Sequence, residues 1–353
     1  MAAKNADDFA VLAGINRYPR LGDLNGPEND AIAFRDWLLA PEGGSLEERN
    51  ITLIRSSDFA AGGDMLLAKP SAQEILLPLR RLREQGMGNG WHLGRRLYLF
   101  FAGHGFAPTS VQSDMSDPVL LTADAAQTEL LHVPVVKYAN WFRDSGMFDE
   151  VVLFMDCCRR GNVSVGPQAI PWSRTNDRKA SRRTFYALAA RLGVESRERE
   201  FEGVRHGVFT KTLLNGLLGA AAPKDGGRIT GTLLAEFLHR QVPLASGSGQ
   251  SDVTRDEELD PEIRFDPSFD LDFGQPPSSR VSTTPVCIKL ADDTVGSRVK
   301  LLDSTRRIVA VRDSAPALWL LDLLPGFYKL EGPTRSILFE VTTPNGEVLN
   351  VSF

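Results

Sequence analysis

Residues 151–161 read VVLFMDCCRRG: five apolar residues, an aspartate, two adjacent cysteines, two arginines and a glycine. The apolar run shows no period-2 alternation, as expected of a strand buried on both faces, and such strands belong to parallel sheets covered by helices. Working outward, the same kind of run recurs. FAVLAGI (9–15), ITLIRS (51–56), RLYLFFAGHG (96–105) and TFYALAA (184–190) read as further strands. Between and after them, DAIAFRDWLLA capped by Asn29, AQEILLPLRRLREQG opened by Ser71, VPVVKYANWFRD (133–144), GVFTKTLLNGLLG (207–219) and TGTLLAEFLHRQV (230–242) carry helical spacing. Pro78 is expected to kink the second of these helices or shorten its start. The alternation predicts an α/β domain whose mostly parallel sheet has helices on both faces. In such sheets chemistry gathers beyond the carboxyl ends of the strands, where both AGHG and DCC fall.

Composition shifts near 244–281, where LASGSGQSD, TRDEELDPE and GQPPSSR are rich in Gly, Ser, Pro and acid. Seven short strand-like runs follow, predicting a small all-β sandwich-like domain. The expected organisation is a domain over 1–275 and a β-rich C-terminal domain over 276–353. The first divides into a part over about 1–160, a basic loop (161–183) and a part over 184–275.

With 42% hydrophobic and 24% charged residues the chain has the balance of a soluble globular protein. A net charge of −5 argues against nucleic acid as the main partner. The longest apolar runs, LYLFFAG and ALWLLDLL, fall well short of the ~20 residues that span a bilayer. MAAKNADDFA shows no secretory apolar region, so the expected location is the cytoplasm, with no membrane partner.

The 3 cysteines form no disulfide framework. Adjacent strand residues point to opposite faces, so Cys157 and Cys158 are poorly placed to grip one metal ion, and no metal site is expected. Cys157 and Cys287 read as core residues. Cys158 shares the face of Asp156, and a buried carboxylate suggests purpose. A nucleophilic cysteine needs a base. Among the 5 histidines only His104 sits at a strand end, between two glycines. It precedes Cys158 by about 50 residues, one strand–helix module, which in a parallel sheet puts both at the same edge.

LYLFFAGHG followed by VVLFMDCCRRG resembles the histidine and cysteine motifs of the caspase-like (caspase/metacaspase) cysteine peptidases, and bacterial metacaspase-like proteins most. In metacaspases the second motif runs Asp-Ser-Cys-His-Ser-Gly. Asp156, Cys158 and Gly161 match it, whereas Cys157, Arg159 and Arg160 depart from it. FAVLAGINRYPRLGDLNGPENDAIAF, PVLLTADA and RHGVFTKTLLNGLL resemble further family segments in the same order, over residues 9–275. The resemblance implies a caspase-like fold and a cysteine endopeptidase acting on protein or peptide substrates. Cys158 would be nucleophile, His104 its acid–base partner, and the backbone N–H groups of Gly105 and Cys158 the oxyanion donors.

It also implies a substrate pocket with Asp30 and Asp156 as its carboxylates. Ala102 stands where metacaspases commonly have a pocket serine, and Pro27 where a cysteine is frequent. Paired carboxylates suit a forked guanidinium better than a point charge, so Arg is the expected preference over Lys. The basic loop offers Arg159, Arg160, Arg174, Arg178, Lys179, Arg182 and Arg183 for maturation by cleavage between the two parts. Calcium activation is a family trait for which Asp114, Asp117 and Asp124 are the candidates. No acid lies between Asp156 and Asp177, so no cofactor is expected. The alternative is an inactive caspase-like scaffold that binds a regulatory partner through its C-terminal β-domain.

Overall fold

The structure, a computed structural model, describes residues 4–61, 64–108, 117–157, 161–162, 169–173, 179–180, 183–189, 198–201, 203–223, 227–246, 260–275, 283–303, 308–324, 326–341 and 348–353; for 161, 162, 244 and 246 only the backbone is described. These residues form two compact units. One is Met1–Lys211 with Pro261–Leu271, the other Thr212–Asp260 with Asp272–Phe353.

The first unit is built on a sheet that has six strands among the described residues: β1 (Asp8–Gly14), β2 (Ile51–Arg55), β3 (Gly94–Gly103), β4 (Phe148–Cys157), β5 (Arg183–Leu188) and β6 (Glu262–Phe265). Their order is β6-β5-β4-β3-β1-β2. All neighbours are parallel except β6, which runs antiparallel to β5. β3 and β4 are central and nearly all buried, which is why their sequences lack alternation.

Helix α1 (Pro27–Leu39) covers one face, where Phe34 stacks on Phe100 at 5.0 Å and meets Phe154 edge-on at 5.5 Å. Helices α2 (Ala72–Gly88) and α3 (Val135–Ser145) cover the other, with Ile75, Leu79, Val136 and Phe142 packed among Leu99, Phe101, Leu153 and Met155. Each such buried side chain contributes about 1.5–3 kcal/mol. After β1 the chain first adds β2 on one side and then β3 on the other, so the strand order reverses at β1 and opens a crevice at their carboxyl ends.

Two local expectations are corrected, and one strand has no counterpart among them. Asn29 does not cap α1, which begins at Pro27 because that residue's fixed φ suits the first helical turn; Asn29 instead donates from Nδ2 to the carbonyls of Asn25 and Arg205. Helix α2 runs through Pro78, and its start is not shortened. Ser71 and Glu74 close its start with a capping box, and Pro78 is buried beside Ile75, Leu79 and Leu82. The antiparallel β6 has no clear signature in the sequence, because Glu262 and Arg264 mask its pattern within an acidic, Pro-containing stretch.

The amino ends of the strands hold a charged cluster. Arg96 Nε donates to Glu150 at 2.5 Å, Arg183 reaches the other Glu150 oxygen at 3.2 Å, and Arg95 bonds both Glu150 and Asp8. Burial pushes the Asp8 carboxyl up to about 6, against the pull of Arg95 and Arg96. Between the ordinary value and about 6 the folded chain therefore holds a proton that the unfolded chain has lost, and this group's contribution declines as pH rises through about 6. Asp8→Asn is expected to flatten the loss of stability that this group contributes on going from pH 4.5 to 7, an effect of up to roughly 2 kcal/mol. Urea midpoints at the two pH values check it, and equal slopes in both proteins would refute it.

In the second unit, helix α5 (Gly231–Ser246) precedes a β-sandwich of seven strands among the described residues. Thr284–Lys289 lies between Leu318–Leu323, antiparallel to it, and Leu349–Ser352, parallel to it. The other sheet orders Ile308–Arg312, Val299–Asp303, Gly326–Glu331 and Ser336–Val341, all antiparallel. Val286, Ile288 and Trp319 from one sheet pack with Leu301, Tyr328 and Leu330 from the other. Cys287 is not a core residue as expected. Val286 and Ile288 take the inner positions, which leaves Cys287 half-buried on the outer face. No described helix is long and apolar enough to cross a membrane.

Candidate functional site

β3 and β4 run in register to their last residues, with Ala102 opposite Asp156 and Gly103 opposite Cys157. The described pairing ends at this point and resumes further along both segments. Gly105–Pro108 lies against Val119–Leu121 on one side and Gly161–Asn162 on the other, with Ala107 opposite Gly161. Residues 104–106 and 158–160 are thus equal segments bracketed by backbone pairing at both ends. His104 and Gly105 belong to the first. Cys158, Arg159 and Arg160 make up the second and lie outside the described residues. Cys157 is buried, with its thiol 3.7 Å from the Phe101 carbonyl, as a core residue should be.

His104 is held by the turn after β1. Its backbone N–H donates to the Tyr18 hydroxyl at 3.0 Å, its carbonyl accepts from Leu121 N–H at 2.9 Å, and its ring meets the Tyr18 ring edge-on at 4.6 Å. Nε2 lies 2.9 Å from the Gly22 carbonyl. A carbonyl only accepts, so Nε2 carries the hydrogen and the lone pair of a neutral ring is on Nδ1. Gly22 has φ +106°, a backbone state that favours glycine.

Gly103 is constrained in the same way. At φ +155° a Cβ would stand 2.4 Å from the Tyr18 hydroxyl. Gly103→Ala is expected to cost about 1–3 kcal/mol of stability through backbone strain and displacement of Tyr18. A thermal melt unchanged within a degree would contradict this.

Asp30 on α1 and Asp156 on β4 are brought together on the α1 side of the sheet, both buried. A Cβ at Gly207 would lie 2.1 Å from Asp156 Oδ2 and 2.9 Å from Asp30 Oδ2, so only glycine lets the two carboxylates approach this backbone. Helix α4 (Val208–Asn215) begins here. Gly207 N–H donates to Asp30 at 3.0 Å, and Thr210 donates to Asp156 from its N–H at 3.1 Å and its hydroxyl at 2.7 Å. The acids thus accept from the start of a helix, where negative charge is favoured.

Burial, and next the Asp156 carboxylate, push Asp30 well above the ordinary carboxylate range; the Gly207 N–H pulls the other way, and Glu198 adds to the rise. His206 Nδ1 lies 2.8 Å from Asp30, while burial and then Lys211 push this imidazole down to about 4. Both directions favour neutral groups, so the contact is a hydrogen bond between an uncharged ring and its carboxyl neighbour rather than a buried ion pair. Glu198 approaches from the neighbouring strand Glu198–Phe201 and accepts from Gly26 N–H at 3.0 Å. Ala102 is fully buried directly across from Asp156.

Of the basic-loop residues, Arg159, Arg160, Arg174, Arg178 and Arg182 lie outside the described residues. Lys179 is exposed, and Arg183 is the first residue of β5, paired with Glu150. Upstream of Lys179, Trp172 is seated edge-on against Tyr138, Trp141 and Phe142 at 4.8, 4.9 and 5.9 Å. Asp114 also lies outside the described residues. Asp117 pairs with Arg264 at 2.6 Å, and Asp124 accepts from the Thr122 hydroxyl. Among the described residues no group of three or more His, Cys, Asp or Glu is placed to hold a metal ion.

Sequence reasoning missed Tyr18, Gly22, Glu198 and His206 at this edge. Only the glycine in LGD hinted at a special backbone.

No family model matches the chain. A probable protease from a Desulfuromonadales bacterium is 27% identical over 235 residues, which cover 62% of this chain and 26% of that relative. The chain therefore spans about a quarter of the length of this curated relative. Among solved structures, caspase-1 from Spodoptera frugiperda matches with a TM-score of 0.49 and 14% identity over 79% of this chain and 94% of that chain.

Proposed function

We propose that this chain is a cysteine endopeptidase that cleaves after basic residues, Arg before Lys, with Cys158 as nucleophile and His104 as acid–base partner. The observation that carries the reading is the double bracket: described backbone pairs on both sides of His104 and on both sides of residues 158–160. The resemblance to caspase-like peptidases and the similarity to a probable protease support it.

In this reading His104 Nδ1 takes the Cys158 thiol proton, and the sulfur forms a bond to the scissile carbonyl carbon, whose π electrons move to oxygen. Backbone N–H groups of Gly105 and Cys158 are assigned to that oxyanion by resemblance. As the oxyanion collapses the C–N bond breaks, and the imidazolium returns its proton to the leaving amine. Water, deprotonated by the same nitrogen, then releases the acyl group and restores the thiol. The Gly22 carbonyl, accepting from Nε2–H, favours the imidazolium formed between these steps.

Asp30 and Asp156 would receive the guanidinium of the substrate. Two buried carboxylates repel, as the raised Asp30 reflects, and a cation relieves this while filling their remaining lone pairs. Loop cleavage is part of the proposal. Lys179 stands exposed between the seated Trp172 and β5, so a cut there would leave both neighbours in place. Matched reporters ending in Arg, Lys or Asp, with Cys158→Ala as control, test the reading. A preference for Asp would overturn the assigned specificity.

The capping geometry favours a second reading of the acids alone. Asp30 and Asp156 would serve to fasten the start of α4 and have no part in binding substrate.

A further inference from the structure

Resting on the reading of His104 as the proton-transfer group, we propose that Tyr18 is a positioning residue for it. The phenol holds the main chain at 104 and the ring holds the imidazole, so that the site keeps the tautomer with hydrogen on Nε2.

Tyr18 is fully buried, and a buried hydroxyl is costly unless it is hydrogen-bonded. Its oxygen accepts from His104 N–H at 3.0 Å and its hydrogen is donated to the Leu121 carbonyl at 3.2 Å, while Leu121 N–H closes the ring on the His104 carbonyl. The main chain at 104 is therefore fixed on both of its polar groups. Tyr18 also organises the turn that holds the far side of the imidazole. Its carbonyl accepts from the N–H groups of Leu21 at 3.0 Å and Gly22 at 2.9 Å, and its own N–H donates to Asp23 at 2.7 Å. That turn presents the Gly22 carbonyl to Nε2. One short segment thus grips His104 at its amide, its ring and one ring nitrogen. Glycine at 103 is the counterpart, because the space of its missing side chain is where the hydroxyl sits.

A bland core role makes a different prediction. Tyr18 packs within the main apolar cluster, and phenylalanine would fill that volume equally well. Only the positioning role gives the hydroxyl a catalytic consequence, since small misplacements of a reacting group cost rate rather than affinity.

The test uses the full chain, wild type and Tyr18→Phe, with a peptidyl-arginine reporter across pH and ¹⁵N spectra of the histidine rings, His104→Gln supplying the assignment. We expect kcat to fall about tenfold or more with KM within about twofold. We also expect a wild-type His104 ring protonated on Nε2 when neutral, and a mixture of tautomers in the variant. Wild-type kcat and an unchanged ring spectrum in Tyr18→Phe would overturn the proposal, as would a wild-type ring protonated on Nδ1. If no reporter is cleaved by wild type, the peptidase reading fails while the ring spectra still decide the role of Tyr18. If the variant does not fold, hydrogen exchange of the wild-type His104 amide decides instead: slow exchange supports the bond to Tyr18, and fast exchange overturns it.

Discussion

Cys158→Ala is expected to lose hydrolysis of a peptidyl-arginine reporter by about four orders of magnitude in kcat/KM while melting close to wild type. A methyl group offers no lone pair to the carbonyl carbon, and residual turnover would come only from binding and oxyanion donors. The adjacent sulfur is poorly placed. Cys157 is buried beneath the Phe101 carbonyl, and Cys287 lies in the other compact unit. His104→Ala should reach a similar floor, because groups that act together do not lose rate additively. In the same incubation, intact mass should show wild type cut within 159–183 and Cys158→Ala whole. A variant retaining a tenth of the activity would place the chemistry elsewhere, and a wild type that stays whole while active would remove the maturation step alone.

Asp156→Asn should lower kcat/KM for an arginine reporter about a hundredfold, mostly through KM, because truncating one partner of a desolvated charge pair costs several kcal/mol. Lysine reporters should lose less, lacking the fork that spans two carboxylates. The amide keeps an acceptor for the Thr210 hydroxyl at 2.7 Å, so the start of α4 should survive. A pH effect accompanies this. Asp30 is pushed up by burial and by Asp156, and its carboxyl accepts a proton as pH falls through that raised value. Arginine reporters should therefore lose affinity on the acid side, and Asp30→Asn should weaken binding and remove that dependence. Should Asp156→Asn lower the melting temperature and leave Arg, Lys and Asp reporters in their wild-type ratio, the two acids are fasteners of α4 and nothing more.

What was legible in the sequence was whatever burial writes into composition. β3 and β4 announced themselves because strands covered on both faces need apolar residues throughout, and His104 stood out because glycines flank it at a strand end. Less legible was anything decided by a partner distant in the chain. β6 exists as an edge strand because β5 offers it a free ladder, not because EIRF has strong strand character. Cys287 reads as core until Val286 and Ile288 claim the inner face. At the site, Gly22 acts through a carbonyl, which every residue has, and Tyr18 sits in a polar turn whose sequence looks like solvent-facing loop. Asp30 and Asp156 were named together, yet their shared dependence on Gly207 and Thr210 could not be read from spacing.

The place of β5 inside the sheet has a bearing on what scission would mean. It is flanked by β4 on one side and β6 on the other, and Arg183 at its start is locked to Glu150. Severing the polypeptide just upstream would turn one molecule into a noncovalent heterodimer whose halves share a single sheet, so neither half could diffuse away without unravelling the other.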